Sequence, residues 1–327
     1  LKGLKSVFKT PIISFTGVNF CSSHQDRLPN MTTVKKIQGF LLPVNKFLLF
    51  IMLLAPTLLC QGCVGGLFYY PDKVVYDTPA RHGLPFEEVT FASKDGTRLS
   101  GWFIPAVGKA KGTVIHFHGN AQNMTAHFGF VSWLPAAGFN LFVFDYRGYG
   151  KSEGRPHKQG VYEDSVAAIS YVAARKDVDQ ARLLILGQSL GGTNAIAAVG
   201  LNRFAGIRAV AIESTFASYR RIVRDKLDEI PVVSLLKWPL SYILIGNDLS
   251  AEQAVEKISP IPLLLIYSRD DQIIPYHHGI TLYQKAKEPK QFWTIERGGH
   301  MAAFPEPESI WRTKLVAFFL QSLNGTK

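Results

Sequence analysis

The stretch Leu183-Leu-Ile-Leu-Gly-Gln-Ser-Leu-Gly-Gly192 decides how this chain is read. Its first four residues are apolar without alternation, as in a strand buried on both faces of a parallel sheet. Glycines at 187 and 191 flank Ser189, and small residues follow (Ala195, Ala197, Ala198, Gly200), which suits a closely packed helix. Strand, sharp turn and helix in this order form a nucleophile elbow, in which the turn leaves the Ser189 hydroxyl exposed. Gly187 and Gly191 remove side chains that would collide where the turn tightens.

A serine hydroxyl is a poor nucleophile without a base and a group that orients the base. Both are available downstream. Leu263-Leu-Leu-Ile-Tyr-Ser-Arg-Asp-Asp-Gln-Ile-Ile-Pro275 reads as a buried strand running into a turn with two aspartates. Arg297-Gly-Gly-His-Met301 reads as a Gly-Gly loop after a strand, presenting His300. Both positions fall at the C-terminal ends of parallel strands, where an open α/β sheet places its chemistry.

Working outward, Glu87–Ala92 and Thr97–Ile104 flank the turn Lys94-Asp95-Gly96 and predict a hairpin. Thr113–Phe117, Leu141–Phe144, Ala209–Ile212 and Pro262–Ile266 are further buried-strand runs, with a last strand at Gln291–Ile295. Helical stretches are expected at about 159–174, 190–202, 278–287 and Glu308 to Leu320. The pattern predicts an α/β fold: a mostly parallel sheet with helices on both faces.

The chain resembles the α/β-hydrolase superfamily, in the branch with an H-G-N-A loop and a D-Y-R-G-Y-G turn. It carries His118-Gly-Asn-Ala121, Asp145-Tyr-Arg-Gly-Tyr-Gly150 and Lys151-Ser-Glu-Gly-Arg-Pro156, and the likeness spans about residues 85–320. The resemblance implies Ser189 as nucleophile, His300 as base and Asp271 as the acid, from Asp271-Gln-Ile-Ile-Pro275. Asp270 and then Glu213 are the next candidates for the acid. It further implies an oxyanion hole from the backbone N–H groups of Leu190 and Asn120. Asp145 and Arg147 are read as hydrogen-bonding supports of their turn. Residues 217–246 take the position of a small helical cap, whose Arg220, Arg221, Arg224 and Lys226 suggest either a solvated face or a lid resting on anionic lipid.

Of the net charge of +11, residues 1–63 hold +6, with seven Lys/Arg against the single acid Asp26. Residues 64–327 hold +5 and show no clustered basic and aromatic stripe, so nucleic acid is not an expected partner. The three cysteines (Cys21, Cys60, Cys63) all precede the catalytic region, which therefore needs no disulfide and offers no thiol nucleophile.

Phe47 to Tyr70 is uncharged, and Lys35, Lys36 and Lys46 precede it. This is the layout of a basic region followed by an apolar signal segment, with Met31 where a signal peptide would start. Leu58-Leu-Cys-Gln-Gly-Cys63 resembles a bacterial lipobox with Cys63 as the lipidated residue. An uncleaved anchor is the competing reading, since the run is long enough to span a bilayer, although Pro56 and three glycines interrupt it, and a cleaved, soluble product is the third. The expected organisation is an N-terminal extension and signal or anchor over 1–70, then a catalytic domain over 71–327. The expected location is the cell envelope, with the domain outside the cytoplasm and held to a membrane through the N-terminus.

His116 and His118 are expected to be structural, because no third ligand has suitable spacing for a metal. His277 and His278 are expected at the surface of a helix start. The function expected from these readings is a serine esterase or lipase-like hydrolase, acting without cofactor or metal on a small or lipid-like carboxylic ester or thioester. Alternatives are a peptidase or amidase of the same fold, and a membrane-tethered binding protein without turnover.

Overall fold

The structure, a computed structural model, describes residues 68–325. Met31, Cys63 and almost all of the proposed signal or anchor segment lie outside the described residues. Among the described residues no helix is long and apolar enough to cross a membrane.

The strands are β1 (Tyr70–Pro71), β2 (Glu87–Ala92), β3 (Arg98–Ile104), β4 (Thr113–Phe117), β5 (Ala121–Gln122), β6 (Asn140–Phe144), β7 (Leu183–Gln188), β8 (Ile207–Glu213), β9 (Leu263–Ser268) and β10 (Lys290–Ile295). Eight form one sheet in the order β10-β9-β8-β7-β4-β6-β3-β2. β2 and β3 pair antiparallel with each other, as do β3 and β6, and every other pairing in the sheet is parallel. β1 and β5 form a separate short parallel pair.

The helices are α1 (Met124–His127), α2 (Lys158–Ala174), α3 (Leu190–Leu201), α4 (Tyr219–Asp228), α5 (Lys237–Leu244), α6 (Ala251–Ala254), α7 (His277–Lys285) and α8 (Ile310–Asn324). Alternate residues of the central strands enter two different cores. Ile115, Phe117, Leu183, Ile185, Leu263 and Leu265 pack with Val161 and Ile169 of α2, Ile196 of α3 and Leu282 of α7. Val114, Leu184, Leu186, Leu264 and Ile266 face the other way, against Leu315, Phe318 and Phe319 of α8. This is why these strands lack alternation in the sequence: both faces are covered, and each buried side chain contributes roughly 1.5–3 kcal/mol.

The expected hairpin and buried strands are present, with ends shifted by at most two residues. α8 starts and ends later than expected. Ser309 caps it by accepting the N–H of Trp311 at 3.3 Å, and the apolar face continues to Leu323. α7 is shorter at its end, because Ala286 is already extended.

One expectation is corrected here. His278 is buried rather than at the surface. It shares the inner face of α7 with Leu282, one turn on, and bridges two elements. Its Nδ1 accepts the backbone N–H of Ala217 at 3.0 Å, and its Nε2 lies 2.7 Å from Asp225 on α4.

Candidate active site

Ser189 sits between the end of β7 and the start of α3 with φ 52° and ψ −126°, a conformation that L-residues rarely adopt. Several bonds hold it there. Its N–H donates to Glu213 O at 2.9 Å, and its own carbonyl accepts from Gly192 N at 2.9 Å and Thr215 Oγ1 at 2.6 Å. A Cβ on Gly191 would lie 2.1 Å from Phe117 O, and one on Gly187 would lie 2.8 Å from Gly192 Cα. Only glycine lets the elbow press against the end of β4.

His300 Nε2 is 2.9 Å from Ser189 Oγ, and His300 Nδ1 is 2.8 Å from Asp271 Oδ2. Burial disfavours the Asp271 charge. The hydrogen bond and charge of His300, with the N–H groups of Ile273 and Ile274 at 2.9 Å, outweigh that and hold the carboxyl below its ordinary value. An ionised Asp271 only accepts, so the imidazole proton belongs on Nδ1 and Nε2 is left to accept from the serine hydroxyl. The arrangement can move a proton from Oγ to Nε2 while the carboxylate balances the imidazolium.

The two rival acids stand elsewhere. Asp270 is exposed, and its hydrogen bonds are backbone ones, to Ser268 Oγ and from Gln272 Nε2. Glu213 is buried behind the site. It accepts Ala303 N–H at 2.7 Å, on the loop after His300, and Gln188 Nε2 at 2.6 Å, on the residue before Ser189. Gln188 Oε1 in turn lies 2.8 Å from His116 Nε2. Burial pushes Glu213 up to about 7, against the pull of Gln188 and the Ala303 amide. Sequence reasoning missed this bracing role. Its signal was a carboxylate placed at the end of the apolar run Ala209–Ile212.

Asn120, Leu190 and Ser189 line one cavity of about 440 Å³. Leu190 is the first residue of α3, so its N–H has no acceptor within the helix. The Asn120 loop is fixed by Tyr149, whose hydroxyl donates to Asn120 O at 2.7 Å. Apart from Lys226, the rest of the cavity wall is mostly apolar, including Phe216, Ile222, Val223, Leu244 and Ile274. Ile222 and Val223 come from α4 and Leu244 from α5, both within 217–246.

Asp145 and Arg147 tie their turn to neighbouring elements. Asp145 Oδ1 accepts Met124 N–H at 2.7 Å. The Arg147 guanidinium binds Asp164 of α2 at 2.8 Å and Asp95 of the β2–β3 turn at 2.8 Å. His116, His118 and His127 are all buried, and burial lowers the pKa of each, to about 3 for His116 and about 4 for His127. They are neutral packing groups bonded to Gln188, Gly119 O and Ala121 O.

Among the described residues, Asp225, His277 and His278 are close enough together to suggest a metal site. His278 Nδ1 accepts from Ala217, so its proton is on Nε2 and is donated to Asp225. The lone pair a metal would need is absent, and the group is a clasp between α4 and α7.

The family described as serine aminopeptidase, S33 matches residues 108–245. The uncharacterized protein YfhR of Escherichia coli is 42% identical over 294 residues, covering 86% of this chain and 98% of YfhR. The α/β hydrolase domain-containing protein WAV2 of Arabidopsis thaliana is 32% identical, over 73% of this chain and 80% of WAV2. Among solved structures, the Pyrococcus furiosus esterase Pf2001 shares the fold with a TM-score of 0.63 at 21% identity, covering 79% of this chain and 98% of that one. The chain belongs to the α/β-hydrolase superfamily, in a family with YfhR and WAV2.

Proposed function

We propose that this protein is a serine hydrolase that cleaves a carboxylic ester or thioester with an apolar acyl group, through an acyl-enzyme. The observation that carries the reading is the unbroken chain of hydrogen bonds from Asp271 through His300 to Ser189, opening into an apolar cavity. Ser189 Oγ attacks the carbonyl carbon as His300 Nε2 takes its proton. The N–H groups of Leu190 and Asn120 hold the oxyanion, each such donor being worth about 10²–10³ in rate. His300 then protonates the departing alcohol or thiol. Water, deprotonated by the same imidazole, releases the acid.

A peptidase reading has the family description in its favour. The cavity wall speaks for the ester. A peptide N-terminus would need a carboxylate, and among the described residues the one charged side chain lining the cavity is Lys226, paired with Glu229 at 2.8 Å. The test is a series of p-nitrophenyl esters from acetate to palmitate beside aminoacyl p-nitroanilides. Ester turnover with no anilide turnover supports the reading, and the reverse order of activity refutes it.

The N-terminal segment belongs to the same reading. An uncharged, largely apolar run after three lysines, with Cys63 inside it, supports attachment to a membrane in the cell envelope by lipidation or by an uncleaved anchor.

A further inference from the structure

Single exposed apolar side chains are ordinary on a protein surface, whereas a contiguous group of them marks a contact. Between Ile230 and Ile243 such a group is present. Val232 is 79% exposed and Leu235 82%, and Leu236, Trp238, Tyr242 and Ile243 are each about half exposed. They belong to α5 and to the turn joining it to α4. The same turn begins at Ile230, which lines the cavity over Ser189 and is itself half exposed, as are Tyr70 and Ile273 on the cavity wall. The apolar surface therefore continues from the outside of the cap into the cavity.

The same segment carries a small excess of cations, although Arg221, Lys226 and Lys237 are paired with Glu252, Glu229 and Asp228. Residues 217–246 hold Arg220, Arg221, Arg224, Lys226 and Lys237 against Asp225, Asp228 and Glu229. The Arg224 guanidinium stacks 4.2 Å from the Trp238 ring centre, and Arg220 stacks 4.3 Å from that of Tyr242. Among the described residues neither arginine forms an ion pair with a carboxylate. A guanidinium on an exposed aromatic ring suits the border between lipid headgroups and acyl chains, where one end of the pair is wet and the other apolar.

The chain itself indicates which occupant covers this face. Phe68 stands on the cavity wall, with its ring 5.3 Å from Tyr219 and 6.3 Å from Phe216. Directly before it in sequence comes the uncharged run from Phe47, and Cys63 is five residues away, at most about 18 Å of extended chain. A membrane attachment at Cys63 would leave at most that length of chain between the bilayer and Phe68.

We propose that the segment Ile230–Ile243 docks into the headgroup region of a bilayer containing anionic lipid, with the cavity mouth facing the membrane. The acyl part of the substrate then reaches Ser189 from the bilayer side, a consequence that rests on the hydrolase reading above.

The test uses the full chain in vesicles of phosphatidylcholine, with or without phosphatidylglycerol, carrying brominated acyl chains that quench nearby tryptophan. The expected result is quenching that falls at least twofold in Trp238→Phe and is stronger with phosphatidylglycerol. Equal quenching in wild type and Trp238→Phe would overturn the docking, and equal quenching in both vesicle types would overturn the part played by anionic lipid. In a second arm, Val232→Asp with Leu235→Asp should slow turnover of a long-chain ester held in vesicles at least tenfold. The same variant should leave turnover of dissolved p-nitrophenyl acetate within twofold. Absence of turnover on both substrates in the wild type would refute the hydrolase reading, while the quenching still decides the docking. If the double variant instead converts a dimer to a monomer and Trp238 is not quenched, the face belongs to a second copy and the proposal falls.

Discussion

His300 Nε2 stands 2.9 Å from Ser189 Oγ across 111 positions of the chain. The contact exists because β7 and the loop after β10 both deliver their ends to the same side of a parallel sheet. Its third member is Asp271, which holds the imidazole through Nδ1. Asp271→Asn should lower kcat on p-nitrophenyl acetate by about 10⁴, since an amide cannot fix the same tautomer. Asp270→Asn, at an exposed side chain away from the imidazole, should stay within about twofold. A larger loss at Asp270 than at Asp271 would reverse their assignment.

Glu213 ties the elbow to the His300 loop, and its buried carboxyl has a pKa raised from 4.5 to about 7. A raised acid binds more protons folded than unfolded between those two values. The stability it contributes is fully present below about pH 4.5 and is lost as the pH climbs through 7. Asp145, also pushed up to about 7 by burial, acts in the same direction. Glu213→Gln should therefore gain stability relative to wild type between pH 5 and pH 8, by up to roughly 3 kcal/mol. Thermal unfolding of both proteins across that range checks the sign. A difference in Tm that does not change with pH would contradict the raised pKa.

The cavity wall supplies a prediction about chain length. Leu227 lines the space over Ser189 from α4. Leu227→Trp should shift the preferred p-nitrophenyl ester toward shorter acyl chains, cutting kcat/KM for octanoate about tenfold or more while leaving acetate within threefold. An equal loss on both esters would place the acyl group elsewhere.

Gly191 tests the elbow itself. An added methyl would meet Phe117 O and His118 O within 2.4 Å, and these are backbone atoms that cannot move aside. Gly191→Ala should lower stability by about 3 kcal/mol or more, read as a fall in Tm or as loss of soluble protein. An unchanged Tm would mean that the turn is looser than described.

Much of this was legible in local sequence. The runs Leu183–Leu186 and Leu263–Ile266 are apolar on every residue and Thr113–Phe117 on three of five, which suits strands covered on both faces, and the structure puts all three in the central sheet. Ser189 could be named because its G-x-S-x-G turn follows such a run, whereas the choice of Asp271 over Asp270, and of His300, came from the resemblance to the α/β-hydrolase superfamily. Other features depend on what packs against them. His278 looked like a surface residue beside His277, and its burial follows from which face of α7 meets α4. The pairing of Tyr70–Pro71 with Ala121–Gln122 involves two residues on each side, too few to leave a pattern. Glu213 resembled a possible catalytic acid, and only the positions of Gln188 and Ala303 show it to be a brace.

Ser189 is the proposed nucleophile. Its most direct test is labelling of the full-length protein and its Ser189→Ala variant with a fluorophosphonate probe, followed by mass mapping of the modified peptide. One phosphonate is expected on the wild-type peptide that contains Ser189, and none on the variant at equal stability. A folded wild type that is not labelled, or a label on any other residue, would contradict it.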